Sequence, residues 1–257
     1  MCASDHDSVV RSSFEKQAAI FGGEHSPFAR RPHSPLAWLE PLEPDMIVLD
    51  VACGAAHVAE QAAPHVRQVV GLDLTPSLLE VGADRLREAG ITNVLLQEGN
   101  AAELPFLDAS FDLVVCRGAM HHFLDPERPV AEMARVCRPE GRVVVSDMVA
   151  TSAEARERFD QVHRNLDPSH ARTLLEPEVA ELLRSTVGPI AYGETSDPFA
   201  IPVDHILTAA ADREAVMSAL RADLAGGDAT GFDPVLDGDQ ILVSFTSTVV
   251  HATRSSA

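Results

Sequence analysis

Asp50 and Asp73 are the residues whose type and position first point to chemistry. Asp50 lies in Val48-Leu49-Asp50-Val51-Ala52-Cys53-Gly54, where an apolar run carries an acid and a small-residue turn follows at once. Asp73 closes a second apolar run, Val69-Val70-Gly71-Leu72-Asp73. If the two runs are adjacent parallel strands, both carboxylates face one crevice at the strand ends, where open α/β sheets bind ligands. Gly54 has no Cβ, and Ala52, Ala55 and Ala56 are nearly as small, so the backbone can approach a ligand closely. The following helix N-terminus would offer N–H groups to a carboxylate. The turn lacks the G-x-G-x-x-G that admits a pyrophosphate, and Asp50 would repel one. An acid there attracts an ammonium group, and an acid at the tip of the second strand can take both hydroxyls of a ribose. S-adenosylmethionine has those two ends. The plainer alternatives are an ordinary strand-to-helix turn for 50–56 and a helix cap for Asp73, although Thr75 or Ser77 suits capping better.

A second group of candidates follows a later apolar run. His121 and His122 come after the strand at 111–116, again at the carboxyl edge of the sheet, and histidine titrates in the range a general base needs. They are the candidate catalytic bases, with packing of the loop as the alternative. Asp147 ends a Val-rich strand and could bind a substrate amine or cap a turn. His163, His170 and His205 fall further along, in a charged helical region, where each could face a substrate or simply pack. Phe14, Phe21, Phe28 and Trp38 crowd the first forty residues, and Arg30-Arg31 is a basic pair that reads as solvated.

The elements that must position these residues alternate regularly. Strands are expected over 46–51, 66–72, 94–97, 111–116 and 142–147, and helices over 55–63, 77–89 and 129–136. Continuous apolar strands separated by helices indicate a parallel sheet covered on both faces, doubly wound by right-handed crossovers. Ahead of it lie a helix at 12–21, ended by Gly22-Gly23, a Pro-rich loop at 27–35 and a short helix from Leu36. Beyond it, helices are expected over 153–166, 177–185 and 204–224, and strands over 190–195 and 240–253. The expected architecture is a Rossmann-like, doubly wound, mostly parallel α/β sheet. Residues 1–45 form an N-terminal helical segment, 46–150 the core, and 151–257 the last strands with an inserted cap.

Composition narrows the partners. The chain has 257 residues, 46% of them hydrophobic, and a formal charge of −19. So acidic a surface repels phosphate backbones and anionic membranes, leaving a small molecule, expected as the substrate, or a basic or neutral protein partner; the cap helices and the final strand would support a homodimer. The four cysteines, Cys2, Cys53, Cys116 and Cys137, are widely spaced. They read as reduced thiols of a cytoplasmic protein, with no disulfide set and no metal site. The first ten residues lack the basic and apolar regions of a signal peptide.

Five blocks in order, residues 48–56, 71–74, 99–106, 110–116 and 135–142, make the chain resemble class I S-adenosylmethionine-dependent methyltransferases, in particular the type 11 branch that includes ubiquinone and menaquinone C-methyltransferases. The tail, at 165–170, 211–214 and 241–253, is similar to a group of uncharacterised bacterial methyltransferase-like proteins. The resemblance implies S-adenosylmethionine as cofactor. It implies that Asp50 and Gly54 line the methionine end, Asp73 binds the ribose, Leu74 packs on the adenine, and Asn100 and Ala101 meet the adenine edge. Arg117 to His122 would form the inner wall. It also implies that the N-terminal segment closes over the cofactor. The chain departs from the family at the turn, with Ala52 and Ala56 where GxGxG is frequent, and at Asn100, where an acid is common.

Three readings follow. The first is methyl transfer to O, N or C of a small molecule. The second is a protein that binds the cofactor and does other chemistry, or none. The third, an NAD-type oxidoreductase, is disfavoured by the single glycine of the turn and the acid before it.

Overall fold

In the computed structural model the described residues are 3–22, 35–207 and 210–256. The elements are α1 (Ala3–Gly22), α2 (Pro35–Leu39), β1 (Ile47–Val51), α3 (His57–Ala62), β2 (Gln68–Asp73), α4 (Pro76–Glu88), β3 (Val94–Glu98), β4 (Phe111–Arg117), α5 (Glu127–Val136) and β5 (Cys137–Ala150). Then follow α6 (Ala153–Leu166), β6 (Leu174–Leu175), α7 (Glu176–Thr186), β7 (Ile190–Thr195), β8 (Phe199–Pro202), α8 (Val203–Leu207), α9 (Arg213–Leu224), β9 (Val235–Asp237) and β10 (Gln240–Thr253). The main sheet runs β3-β2-β1-β4-β5-β10-β7. Strands β3, β2, β1, β4 and β5 are parallel neighbours, and β10 joins β5 and β7 in antiparallel fashion. This is the expected doubly wound, mostly parallel sheet.

The central strands are apolar throughout because helices cover both faces. Successive β1 side chains alternate between two cores. Leu49 and Val51 join Met133, Val179 and Leu183 on the α5–α7 face, and Val48 joins Val58, Ala59 and Leu86 on the α3–α4 face. Asp50 therefore points to the α3 side, two residues from Val48. Its backbone pairs with Gly71 on one side and Val115 on the other, which places it in the middle of the sheet.

Two sequence expectations are corrected. The single helix over 204–224 is two, α8 and α9, because Asp212 caps a new start: its Oδ1 accepts the Ala215 N–H at 2.9 Å. The strand expected from Arg142 begins at Cys137, since residues 137–141 already pair irregularly beside Phe111 before the regular register at Leu113–Arg142.

The long final strand does two jobs. Residues 246–253 lie beside β5 in the main sheet, while 240–245 leave it and pair with β8 and β9. There Val243 and Phe245 enter a third core with Phe159, Val162, Val216, Leu220 and Phe232 from the region after β5, including a Phe159–Phe232 stack at 4.3 Å. Helix α1 crosses α4 at the carboxyl end of the sheet. The expected Pro-rich loop, apart from Pro35, which opens α2, lies outside the described residues, as do Phe28, Arg30-Arg31, Cys2 and the side chain of Phe21. No helix among the described residues is long and apolar enough to cross a membrane.

Candidate functional site

One cavity of about 440 Å³ opens at the carboxyl ends of β1, β2 and β4. All ten residues singled out for binding or catalysis line it: Asp50, Ala52, Gly54, Asp73, Leu74, Asn100, Ala101, Arg117, His121 and His122. Its size falls within the usual range for small-molecule sites.

The turn after β1 is wound into the left-handed region at alternate positions. Ala52 has φ +54°, Gly54 φ +54° and Ala56 φ +61°. At Gly54 a Cβ would find only Leu78 Cδ1, at 4.0 Å, so the space beside this residue is open to a ligand. The turn is held from β2. Asp73 Oδ2 accepts the Gly54 N–H at 2.8 Å, and its Oδ1 accepts the Thr75 N–H at 2.8 Å. Thr75 is the cap residue of α4, but no side-chain bond caps the helix there. Close packing of α4 on the turn depends on Gly82, where a Cβ would stand 3.1 Å from the backbone of Ala55.

Asp50 is 1% exposed and accepts the Ala59 N–H at 3.2 Å. Of the N–H groups expected to be free at this helix start, Asp50 takes one, that of Ala59. Burial pushes the Asp50 carboxyl up to about 7, against the Ala59 bond and the Arg117 charge. Burial likewise raises Asp73, despite the N–H groups it accepts. Two buried acids with raised pKa values are short of positive charge, and a cationic ligand with hydroxyls to donate would supply what they lack. On that chemistry the residues fit S-adenosylmethionine.

Asn100 is fixed from both ends. Its Nδ2 donates to Asp7 Oδ2 at 2.9 Å and its Oδ1 accepts the Ala102 N–H at 2.8 Å. Asp7 belongs to α1, which also brings His6, Val10 and Phe14 to the cavity wall. His6 Nε2 donates to the His122 carbonyl at 2.8 Å, Ser13 Oγ donates to Asp167 Oδ1 at 2.8 Å, and Phe14 meets the His122 ring edge-on at 5.0 Å. Of these α1 residues at the cavity, only Phe14 stood out in the sequence. Trp38 packs instead on the α3 face of the sheet.

The two histidines of the inner wall differ. His121 Nδ1 lies 2.7 Å from Asp147 Oδ1. The same carboxylate accepts the backbone N–H groups of Met120, His121 and Met148. Asp147 thus caps the turn and faces His121 rather than the cavity. Burial works to raise its pKa, but the His121 charge and these hydrogen bonds outweigh it and hold the carboxyl below its usual range. His122 Nδ1 lies 3.2 Å from the Ser169 carbonyl and 3.1 Å from Ser169 Oγ. Burial, then the neighbouring His121, lowers its pKa to about 3. His163 also lines the cavity, and His170 sits behind it.

Residues 49–145 match the family model described as a methyltransferase domain. The chain has the fold of class I S-adenosylmethionine-dependent methyltransferases. The uncharacterized methyltransferase YcgJ of Bacillus subtilis is 40% identical over 126 residues, 49% of this chain and 50% of YcgJ. The demethylmenaquinone methyltransferase of Listeria welshimeri is 40% identical over 104 residues, 39% of this chain and 44% of its own length. The chain thus spans about half the length, or somewhat less, of these curated relatives. The crystal structure of YcgJ superposes with a TM-score of 0.77 at 26% identity, covering 88% of this chain and 100% of that one. At 20% identity the fold is shared with a phosphoethanolamine N-methyltransferase of Haemonchus contortus in complex with phosphomonomethylethanolamine and S-adenosylhomocysteine. There the TM-score is 0.61, over 97% of this chain and 58% of that one.

Proposed function

We propose that this protein binds S-adenosylmethionine in the cavity and transfers its methyl group to a small molecule. One observation carries the reading: Asp50, Gly54 and Asp73 converge on the same cavity whose inner wall holds the Asp147-supported His121. Asp50 and the open space at Gly54 take the amino-acid end, Asp73 the ribose, and Leu74, Asn100 and Ala101 the adenine. The cofactor supplies an activated methyl group on a sulfonium, so the protein has to hold the acceptor in line, exclude water and accept a proton. Helix α1 and the residues after β5 close the cavity over the reacting groups.

His121 is the base in this reading. Its Nδ1–H donates to Asp147, so its Nε2 carries the lone pair. His122 donates from Nδ1 to a carbonyl and is held neutral by its surroundings, and its role is to build the wall. The methyltransferase domain and the S-adenosylhomocysteine bound in the Haemonchus structure support the cofactor; the acidic surface supports a small substrate in preference to a nucleic acid.

Isothermal titration with S-adenosylmethionine and S-adenosylhomocysteine tests the reading. Micromolar binding that Asp73→Ala weakens about 100-fold is expected, because two charge-assisted hydrogen bonds to the ribose are lost. Folded protein that binds neither ligand would overturn it.

A further inference from the structure

Behind the His121–Asp147 pair stand two more imidazoles, and one of them meets the cavity with nothing bound to it. His163 on α6 lines the cavity and is 8% exposed. Its ring lies parallel to that of His170, 5° from coplanar at 4.2 Å. His170 is anchored in turn, with its Nε2 2.7 Å from Asp160 Oδ1. The plane of His163 is therefore set from behind. Its Nδ1 is fully buried without a partner, and among the described residues neither ring nitrogen makes a hydrogen bond. Nε2 is then the nitrogen that can reach a ligand.

The tautomer follows from the same facts. Burial, reinforced by the repulsion that a protonated His170 or His121 would exert, holds His163 far below the usual histidine range, so it is neutral. A neutral imidazole has one N–H and one lone pair. Leaving a buried N–H unmet is the rarer and costlier choice. The proton belongs on Nε2, at the cavity. His121 has the opposite polarity, with its lone pair on Nε2. The two rings are 5.9 Å apart between centroids. One donor and one acceptor across that gap complement a group that both accepts and donates.

We propose that His121 and His163 form the acceptor subsite, and that it takes a phenolic or enolic hydroxyl. His163 Nε2–H donates to the hydroxyl oxygen, and the hydroxyl donates to His121 Nε2. When the acceptor ionises, its O–H bond breaks, the proton joins His121 Nε2 and the electron pair stays on oxygen. The oxyanion keeps the His163 hydrogen bond, which is preorganised where charge develops. An ammonium group offers donors alone and would meet the His163 N–H. The carboxylates in contact with this histidine cluster are engaged: Asp147 and Asp160 by imidazoles, Asp167 by Ser13 and Ser169. A phenol, with a pKa near 10, is within reach of an imidazole base, whereas an aliphatic alcohol is not.

This inference rests on the cofactor reading above, and the test separates the two. The full chain is first saturated with S-adenosylhomocysteine. It is then titrated with phenol, and with toluene as the same ring without a hydroxyl, while the imidazole nitrogens of His121 and His163 are followed by two-bond proton–nitrogen correlation. Phenol is expected to move both Nε2 signals, and toluene neither. His163→Phe keeps the stack on His170 but is expected to weaken phenol binding about 5- to 10-fold, the loss of one hydrogen bond. His163→Gln restores the donor near Nε2 and is expected to restore the affinity, with S-adenosylhomocysteine binding unchanged in both variants. If the nitrogens stay still up to the solubility limit of phenol, or respond equally to toluene, with S-adenosylhomocysteine bound, the acceptor proposal fails and the cofactor reading stands. If S-adenosylhomocysteine itself does not bind, both fail.

Discussion

His121 Nδ1 and Asp147 Oδ1 are 2.7 Å apart, and both side chains are almost wholly buried. The acid comes from near the carboxyl end of β5 and the base from the turn after β4, so the main sheet itself sets their distance. Because the other bonds to Asp147 are backbone N–H groups of Met120, His121 and Met148, the carboxylate fixes both the turn and the ring on it.

Asp147→Asn should therefore separate proton transfer from cofactor binding. The amide cannot enforce the tautomer that leaves the lone pair on His121 Nε2. Turnover to S-adenosylhomocysteine is expected to fall about 10²- to 10⁴-fold, the usual worth of a positioned base. The dissociation constant for S-adenosylmethionine should stay the same, since Asp147 faces away from the cavity. An equal loss in both quantities would mean that the pair merely holds the fold.

His122 gives the converse prediction. Its pKa of about 3 lies below the value of a histidine in an unfolded chain, about 6.5. The unfolded state then binds the proton first. Stability attached to this group is present above pH 6.5 and is lost as pH falls toward 3. In His122→Asn, which can still donate to the Ser169 carbonyl, melting temperature should fall less steeply between pH 7 and pH 4 than in the parent. Parallel curves would show that His122 is not the group being protonated.

Much of this site was legible in the sequence because its cofactor half is local. An acid near the end of an apolar run, a turn of small residues and a second acid at the next strand end are each readable within a few residues, and strand adjacency follows from the alternation. The rest depends on contacts that no window contains. His6 reaches His122 across 116 positions, Asp7 reaches Asn100 across 93, and Ser13 reaches Asp167 across 154. The stacking of His163 on His170 needs α6 to end beside the loop that follows it, and neither histidine has a pattern that signals this. Strands β8 and β9 were missed because they are short and gain their pairing from the departing half of β10. Alanine carries no conformational signature, so the left-handed backbone at Ala52 and Ala56 was equally hidden.

Asp50 links stability to pH in the direction opposite to His122. Its folded pKa of about 7 exceeds the ordinary carboxyl value of 3.8. The unfolded chain loses that proton first as pH rises. The contribution to stability is fully present below 3.8 and is lost progressively up to about 7. Asp50→Asn keeps an acceptor for the Ala59 N–H and removes the charge. It should melt close to the parent at pH 4 and well above it at pH 8, while binding S-adenosylmethionine at least 10-fold more weakly, as the paired charge is lost. Melting curves across that range check the sign: a difference that does not grow with pH would mean that Asp50 is already ionised in the folded state.

Ala52 offers a separate test of the turn. It sits at φ +54°, where an L-residue with a Cβ pays roughly 1–2 kcal/mol. Glycine removes that strain but gives the unfolded chain more freedom, a loss of about 0.5–1 kcal/mol. The balance favours Ala52→Gly by up to about 1 kcal/mol, a rise of about 2–4 °C in melting temperature for a chain of this size. Ala52→Val should do the reverse, because a β-branched side chain is still less at ease there. Ala56 has the same φ but is the poorer site for this test. Its methyl is 1% exposed and lies where Gly82 of α4 comes close, so glycine there would relieve strain and lose packing together. Ala52 is only half-buried, which leaves the backbone effect nearly alone. If Ala52→Gly melts below the parent, the left-handed turn is not what limits stability at this position.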